Sequence, residues 1–307
     1  MKLAIYQTSD LHGFVYPTNY VTEQKLGILK IGSYILEDEK NYDASLKVDC
    51  GDLIQGSVLT NYLSRKQIKS NPIIEGLEKI NYDAYVLGNH EFNYGLDYLT
   101  NSYKHISDKV INSNIKGLPF DTKPYKIFDF NGFKIGCIGI TTSFIPNWEN
   151  ENNIKNIEFL NPVDMYEKYE NELKEKADLI IVCYHGGFEK SLDEKMIPTE
   201  SLTKENQGSE LLEKFDSIDI ILSGHQHRSF ITKVNGVICS QPLNNGQTFT
   251  KIVLDTDTKE MSYELIDVST LKNNINQDLE KIFTGIQSDL KDFLDTEIGH
   301  LDKDITI

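Results

Sequence analysis

Short apolar runs rich in β-branched residues alternate along this chain with segments of helical spacing, and that alternation restricts the fold more than any other property. Residues 3–7, 46–49, 84–87, 110–112, 134–140, 179–184 and 218–222 read as strands. Between them, segments 27–39, 72–80, 96–106, 162–176 and 209–215 have helix-length spacing and charged outer faces, as crossover helices between parallel strands do. The strands are nearly continuously apolar, which implies a sheet covered on both faces. Asn131-Gly132 and Asn235-Gly236 separate strand-like runs and signal two-residue hairpins. After the second of these, 248–255 and 261–268 continue an antiparallel pattern. The expectation is an α/β fold with two sheets or one long mixed sheet.

The last segment differs in kind. Leu279, Ile282, Phe283, Ile286, Leu290, Phe293 and Leu294 recur at three- and four-residue spacing among charges, so 273–295 reads as an amphipathic helix that packs back on the domain or leads away from it. The chain thus divides into a catalytic unit, 1–270, and a helix with its tail, 271–307. Segments 147–156 and 189–207, rich in Asn, Ser and Glu, read as long loops, either lids or slack.

Charge narrows the partners. With 47 acidic against 31 basic residues the formal charge is −16, which would repel a nucleic-acid polymer or an anionic membrane surface. A phosphate-bearing ligand must therefore meet positive charge held locally. No segment approaches the roughly 20 apolar residues of a membrane span, and the first residues do not read as a signal peptide. As written the chain reads as cytoplasmic; as a piece of a longer parent it would be extracellular or on the cell surface. Cys50, Cys137, Cys183 and Cys239 lie within or at the end of apolar runs without a CxxC pair, and read as buried thiols.

Five of the seven histidines, His12, His90, His185, His225 and His227, follow directly on strand-like runs beside Asp, Asn or Gly. Core histidines do not distribute this way. In an α/β sheet the carboxyl ends of the strands form the ligand crevice, so Asp10, His12, Asp52, Asn89, His90, His185, His225 and His227 are expected to converge there. Leaving His90 aside, the other seven supply oxygen and imidazole nitrogen and no thiolate, a donor set suited to Mn, Fe, Co, Ni or Zn. Seven ligands are too many for one ion. If the Asp52 carboxylate bridges, each of two divalent ions receives four protein groups and keeps positions for water and substrate, as two-metal phosphoryl chemistry requires.

Asp10-Leu11-His12-Gly13, Gly51-Asp52, Gly88-Asn89-His90-Glu91, His185-Gly186-Gly187 and Gly224-His225-Gln226-His227, in that order, resemble the five motifs of the calcineurin-like metallophosphoesterases. The likeness spans residues 1–268. The runs 51–57 and 88–95 resemble the nucleotidase branch, which holds 5′-nucleotidases, UDP-sugar hydrolases and 2′,3′-cyclic-nucleotide phosphodiesterases. The resemblance implies two facing mixed sheets flanked by helices. It also implies one metal held by Asp10, His12, Asp52 and His227, and a second held by Asp52, Asn89, His185 and His225. The implied catalytic residues are His90, which stabilises or protonates the leaving oxygen, and Asn89. A hydroxide on the metals would attack phosphorus in line. The leading expectation is a 2′,3′-cyclic-nucleotide phosphodiesterase; a 5′-nucleotidase or nucleotide-sugar hydrolase follows, and a non-catalytic binding scaffold is the alternative from another class.

Two departures from the branch stand out. Asn93 occupies a position, three after His90, where 5′-nucleotidases often carry an Asp paired with the histidine, and an amide orients the ring without bringing charge. The chain also stops just after its last helix, where branch members continue into a base-binding domain. Phe144, Trp148 and Phe188 lie in loops near the expected crevice; stacking on a base is conceivable, but packing is the expected reading. Glu91 is expected to brace its loop by accepting backbone hydrogen bonds. Asn112 and Asn114 could touch substrate, though turn chemistry alone explains them. His105 and His300 are expected to be solvated.

Overall fold

The computed structural model describes residues 1–18, 22–193, 195–272, 274–297 and 299. His300 and the rest of the tail lie outside the described residues. In chain order the elements are β1 (Lys2–Thr8), α1 (Ile28–Asp38), β2 (Ala44–Asp49), α2 (Val58–Ser64), α3 (Pro72–Lys79), β3 (Ala84–Tyr85), α4 (Gly95–Tyr103), β4 (Ile115–Lys116), β5 (Tyr125–Phe130) and β6 (Phe133–Thr141). Then follow β7 (Glu158–Phe159), α5 (Pro162–Lys176), β8 (Leu179–His185), α6 (Gly208–Lys214), β9 (Ile220–Ser223), β10 (Phe230–Val234), β11 (Val237–Gln241), β12 (Thr248–Asp255), β13 (Met261–Asp267) and α7 (Gln277–Leu294).

Two mixed sheets result, not one. The first runs β13-β12-β1-β2-β3, with β1, β2 and β3 parallel and the last two chain segments antiparallel on its flank. The second runs β10-β11-β9-β8-β6-β5, a parallel centre edged by the antiparallel β5 and β10. Alternation of side chains sorts each strand between two cores. Leu3, Ile5, Leu46 and Val48 from the first sheet meet Ile135, Cys137, Ile181 and Leu222 from the second in one buried cluster between the sheets. Their neighbours Ala4 and Tyr6 point the other way, under α1, α3, α4 and α7, while Ile138, Ile140 and Val182 lie under α5 and α6. Helix, sheet, sheet and helix therefore stack in four layers, and strands covered on both faces account for the continuous apolar runs.

All four cysteines are buried free thiols. The pattern misplaces two elements. Residues 110–112 form only isolated bridges, Tyr85 to Val110 and Ile111 to Lys123, and the run cannot extend past them because the side chain of Asn112 takes up the backbone groups of 114–115. Its Oδ1 accepts from the Asn114 and Ile115 N–H groups and its Nδ2 donates to Ile115 O. The pattern also omits α2, a helix of only seven residues whose apolar face is Leu59, Tyr62 and Leu63. It starts at Ser57, whose Oγ accepts from Thr60 N while Thr60 Oγ1 accepts from Ser57 N, a capping box built with Thr where Glu or Gln is usual.

α7 packs back on the domain. Leu279, Phe283 and Leu290 join the core beneath the first sheet, and Tyr16 donates its hydroxyl to Phe283 O at 2.7 Å. Gly76 of α3 makes room for this helix, since a Cβ there would stand 2.3 Å from Phe283 Cζ. Among the described residues no helix is long and apolar enough to cross a membrane.

Candidate active site

The parallel strands of both sheets end on one rim. Asp10 and His12 follow β1, Asp52 follows β2, Asn89 and His90 follow β3, His185 ends β8, and His225 and His227 follow β9. The two sheets meet there directly, since His225 N donates to both carboxylate oxygens of Asp10 at 3.1 Å; within the first sheet, Asp10 N donates to Gly51 O at 2.8 Å and ties the ends of β1 and β2 together. All eight residues expected at the crevice are thus brought together by the fold.

Holding them so close bends the backbone. Asp10, His12, Asp52, His225 and His227 all adopt positive φ, between 48° and 74°. Such conformations cost non-glycine residues about 1–3 kcal/mol when the surroundings force them, and concentrate at functional sites. Gly88 shows how tight the centre is, because a Cβ there would lie 2.2 Å from Asp52 Oδ1.

Hydrogen bonds decide which nitrogen each imidazole presents. His12 Nδ1 donates to Gln55 O at 2.7 Å and His185 Nδ1 donates to Cys50 O at 2.6 Å, so both rings turn Nε2 inward as the nitrogen a metal would take. His12 Nε2 lies 3.2 Å from His227 Nε2, which lies 3.3 Å from Asp10 Oδ1. His185 Nε2 lies 3.2 Å from Asp52 Oδ2 and 3.1 Å from Asn89 Oδ1. Asp10, His12 and His227 form one group of converging ligand atoms and Asp52, His185 and His225 another, the atoms of each group lying within 4.8 Å of one another.

The electrostatics fit cations. Burial disfavours the ionised form of Asp52, but the charge and hydrogen bond of His185, with His90 and His12 behind, outweigh it and hold the carboxyl well below its usual range. At His185 burial favours the neutral ring, yet Asp52, Asp10 and Glu91 push its pKa up to about 10. The hydrogen bond and charge of Asp10 raise His227 in the same way. Two buried carboxylates thus create a field that attracts positive charge, which is what a divalent ion on the converging oxygen and nitrogen lone pairs would meet.

Glu91 sits behind this centre, fully buried. Its Oε2 accepts from Asp52 N at 2.8 Å and Gly88 N at 2.5 Å, and its Oε1 from Leu53 N at 2.7 Å and Ile54 N at 3.3 Å. One side chain therefore ties the Asp52 loop to the Asn89 loop, the bracing role expected of it. Asn114 is also structural: it bonds Thr141 N, Thr141 O and Leu160 O. Phe188 is fully buried against Phe230 and faces no substrate. Trp148, 45% exposed, stands at the rim with its ring 5.4 Å from His225.

Sequence reasoning missed Glu205. Its Oε1 accepts from His225 Nε2 at 3.1 Å, which leaves Nδ1 as the nitrogen of His225 available to a metal. No motif marks it, because it stands in the loop 189–207, brought to the site by tertiary contacts. That loop is pinned, not slack: Glu189 accepts from Ser209 N and Glu210 N, and Glu200 accepts from Asn206 Nδ2 and Gln226 Nε2.

The family described as Calcineurin-like phosphoesterase matches residues 3–229. Among curated proteins, the trifunctional nucleotide phosphoesterase protein YfkN of Bacillus subtilis is 28% identical, over 94% of this chain and 22% of its own length. A 2′,3′-cyclic-nucleotide 2′-phosphodiesterase/3′-nucleotidase of Haemophilus influenzae is 31% identical over 76% of this chain and 37% of its own. The chain thus spans well under half the length of these relatives. Among solved structures, a Staphylococcus aureus protein provisionally assigned as a 5′-nucleotidase superposes with a TM-score of 0.90 at 36% identity, covering 100% of this chain and 61% of that one. With its five motifs gathered on one rim and the family match extending over most of its length, the chain belongs to the calcineurin-like phosphoesterase family.

Proposed function

We propose that this chain hydrolyses phosphate esters of nucleotides, with 2′,3′-cyclic nucleotides as its preferred class. The observation that carries the reading is the pair of oxygen-and-imidazole donor groups on one rim, with His90 beside them. Asp10, His12, Asp52 and His227 would hold one divalent ion, and Asp52, Asn89, His185 and His225 the other. When bound, the ions lower the pKa of water and draw charge from phosphoryl oxygens.

The protein's own groups do the rest. His90 N donates to Asp52 Oδ1 at 2.7 Å, which fixes the His90 backbone to the carboxylate that this reading places in both ligand sets. Its Nε2 lies 3.9 Å from Asp52 Oδ2, close enough to reach an ester bound at the centre. There the imidazolium would give its proton to the leaving oxygen as the phosphorus–oxygen bond breaks and the bonding pair moves to oxygen. A cyclic diester places the leaving hydroxyl in a strained ring, so its departure asks less of the acid than that of an unstrained monoester. The likeness to cyclic-nucleotide phosphodiesterases supports the same preference.

The test is a panel: 2′,3′-cyclic AMP, 3′-AMP, 5′-AMP and bis(p-nitrophenyl) phosphate, each with Mn, Co and Zn, alongside metal analysis of the purified protein. Faster turnover of the cyclic diester is expected. Preference for 5′-AMP would move the protein to the 5′-nucleotidase reading, and no metal uptake with no turnover of any substrate would leave a binding scaffold.

A further inference from the structure

Asn93 lies between two groups of unequal chemistry. Its Oδ1 is 2.5 Å from His90 Nδ1, and its Nδ2 donates to Glu149 Oε2 at 2.5 Å. The amide has no freedom to turn over: a carboxylate only accepts, so the NH₂ must face Glu149 and the oxygen must face His90. An acceptor oxygen against Nδ1 in turn places a proton there, and Nε2 becomes the ring nitrogen that faces the reaction centre. Glu149 is itself held. Its Oε1 accepts from Asn150 N at 2.7 Å and Asn153 Nδ2 at 2.9 Å, and Asn153 Nδ2 also donates to Asn93 O at 3.0 Å. The loop 147–156 is therefore stitched onto the His90 turn through the groups that line up the ring.

We propose that Glu149 is a positioning residue for His90, acting through the Asn93 amide. The carboxylate polarises the amide, strengthens its oxygen as an acceptor and locks the imidazole with Nε2 toward the ester. In the hydrolysis, a water oxygen bonds to phosphorus and that water's proton is lost to solvent, while the ester phosphorus–oxygen bond breaks with its electron pair on the leaving oxygen, which takes the Nε2 proton. Neutral imidazole remains, still donating Nδ1–H to Asn93. This rests on the acid role given to His90 above but not on any nucleotide preference.

The experiment uses aryl phosphodiesters, from bis(p-nitrophenyl) phosphate to one expelling unsubstituted phenol, with the metal-loaded protein. Nitrophenolate leaves without a proton; phenolate gains from one. Glu149→Ala is expected to lower kcat about 10-fold or more on the phenol-releasing ester, with little change in KM and a smaller loss on the nitrophenyl ester. Glu149→Gln keeps an oxygen for Asn93 and recovers part of the loss.

Asn93→Asp alone sets two carboxylates face to face and impairs turnover. Adding Glu149→Gln to it restores a complementary pair and raises turnover, so the same substitution acts in opposite directions in the two backgrounds. An effect of Glu149→Gln with the same sign in both would overturn the proposal. So would a leaving-group dependence that changes in His90→Asn and not in Glu149→Ala. If His90→Asn leaves that dependence unchanged, the acid role fails and this proposal with it. Turnover of the aryl esters without turnover of nucleotides would sink only the nucleotide reading.

Discussion

Glu91→Gln is the sharpest probe of how the site is built, because the substitution is nearly isosteric and changes one oxygen into a donor. The carboxylate accepts four backbone N–H groups, two on each oxygen. Whichever way glutamine turns, its NH₂ faces two buried N–H donors that cannot bond to it. They are either those of Asp52 and Gly88 or those of Leu53 and Ile54. Each stranded donor costs about 1–3 kcal/mol, so the loss should be about 2–6 kcal/mol. That is a large part of the roughly 5–15 kcal/mol that stabilises an ordinary domain. Burial and then the charge of Asp52 push the Glu91 pKa up, while the N–H donors pull the other way, and only the ionised form accepts all four. Urea unfolding of the wild type and the variant in EDTA reads the difference as a fall in midpoint. A loss below about 0.5 kcal/mol, the scale of an ordinary surface change, would mean that Glu91 is neutral and already presents an O–H of its own, and the bracing argument would be refuted.

Two further outcomes follow from the packing and the buried charges. Phe283→Ala should destabilise the protein by about 3–5 kcal/mol in the same assay, since the ring is fully buried over Gly76 and beside Tyr16; an unchanged midpoint would mean that α7 does not dock in solution. Asp49 is buried, with Thr8 Oγ1 and Gly51 N as its donors, and burial raises its pKa well above the usual carboxylate range. The folded state then keeps this proton longer than the unfolded state, so its contribution should favour folding at low pH and decline as pH rises through the folded value. An amide in its place cannot titrate, and the stability difference between wild type and Asp49→Asn should drift against the wild type as pH rises from the acid side toward neutrality. Parallel curves would show that Asp49 does not titrate differently on folding.

Much of this was legible in the residues. Runs such as 179–184 and 134–140 mark strands covered on both faces because nearly every position is apolar, and the polar residues that end them mark the rim. The ligand types were legible too, since Asp, Asn and His immediately after an apolar strand stand at its carboxyl end whatever the rest of the fold does. Less was legible where local hydrogen bonding competes with pattern, as at Asn112, or where a cap is built from Thr60.

What the amino-acid order determines by itself is local: the period of apolar side chains, the strand ends, and the chemistry of the donors placed there. The tertiary structure alone decides who faces whom. Glu205 reaches His225 across 20 residues, and Glu149 reaches Asn93 across 56. Neither contact has a period or a motif, because each arises only when two sheets stack and close loops over their common rim. The carboxylates that orient the imidazoles are therefore set by the packing of layers, while the imidazoles themselves are set by position along a strand.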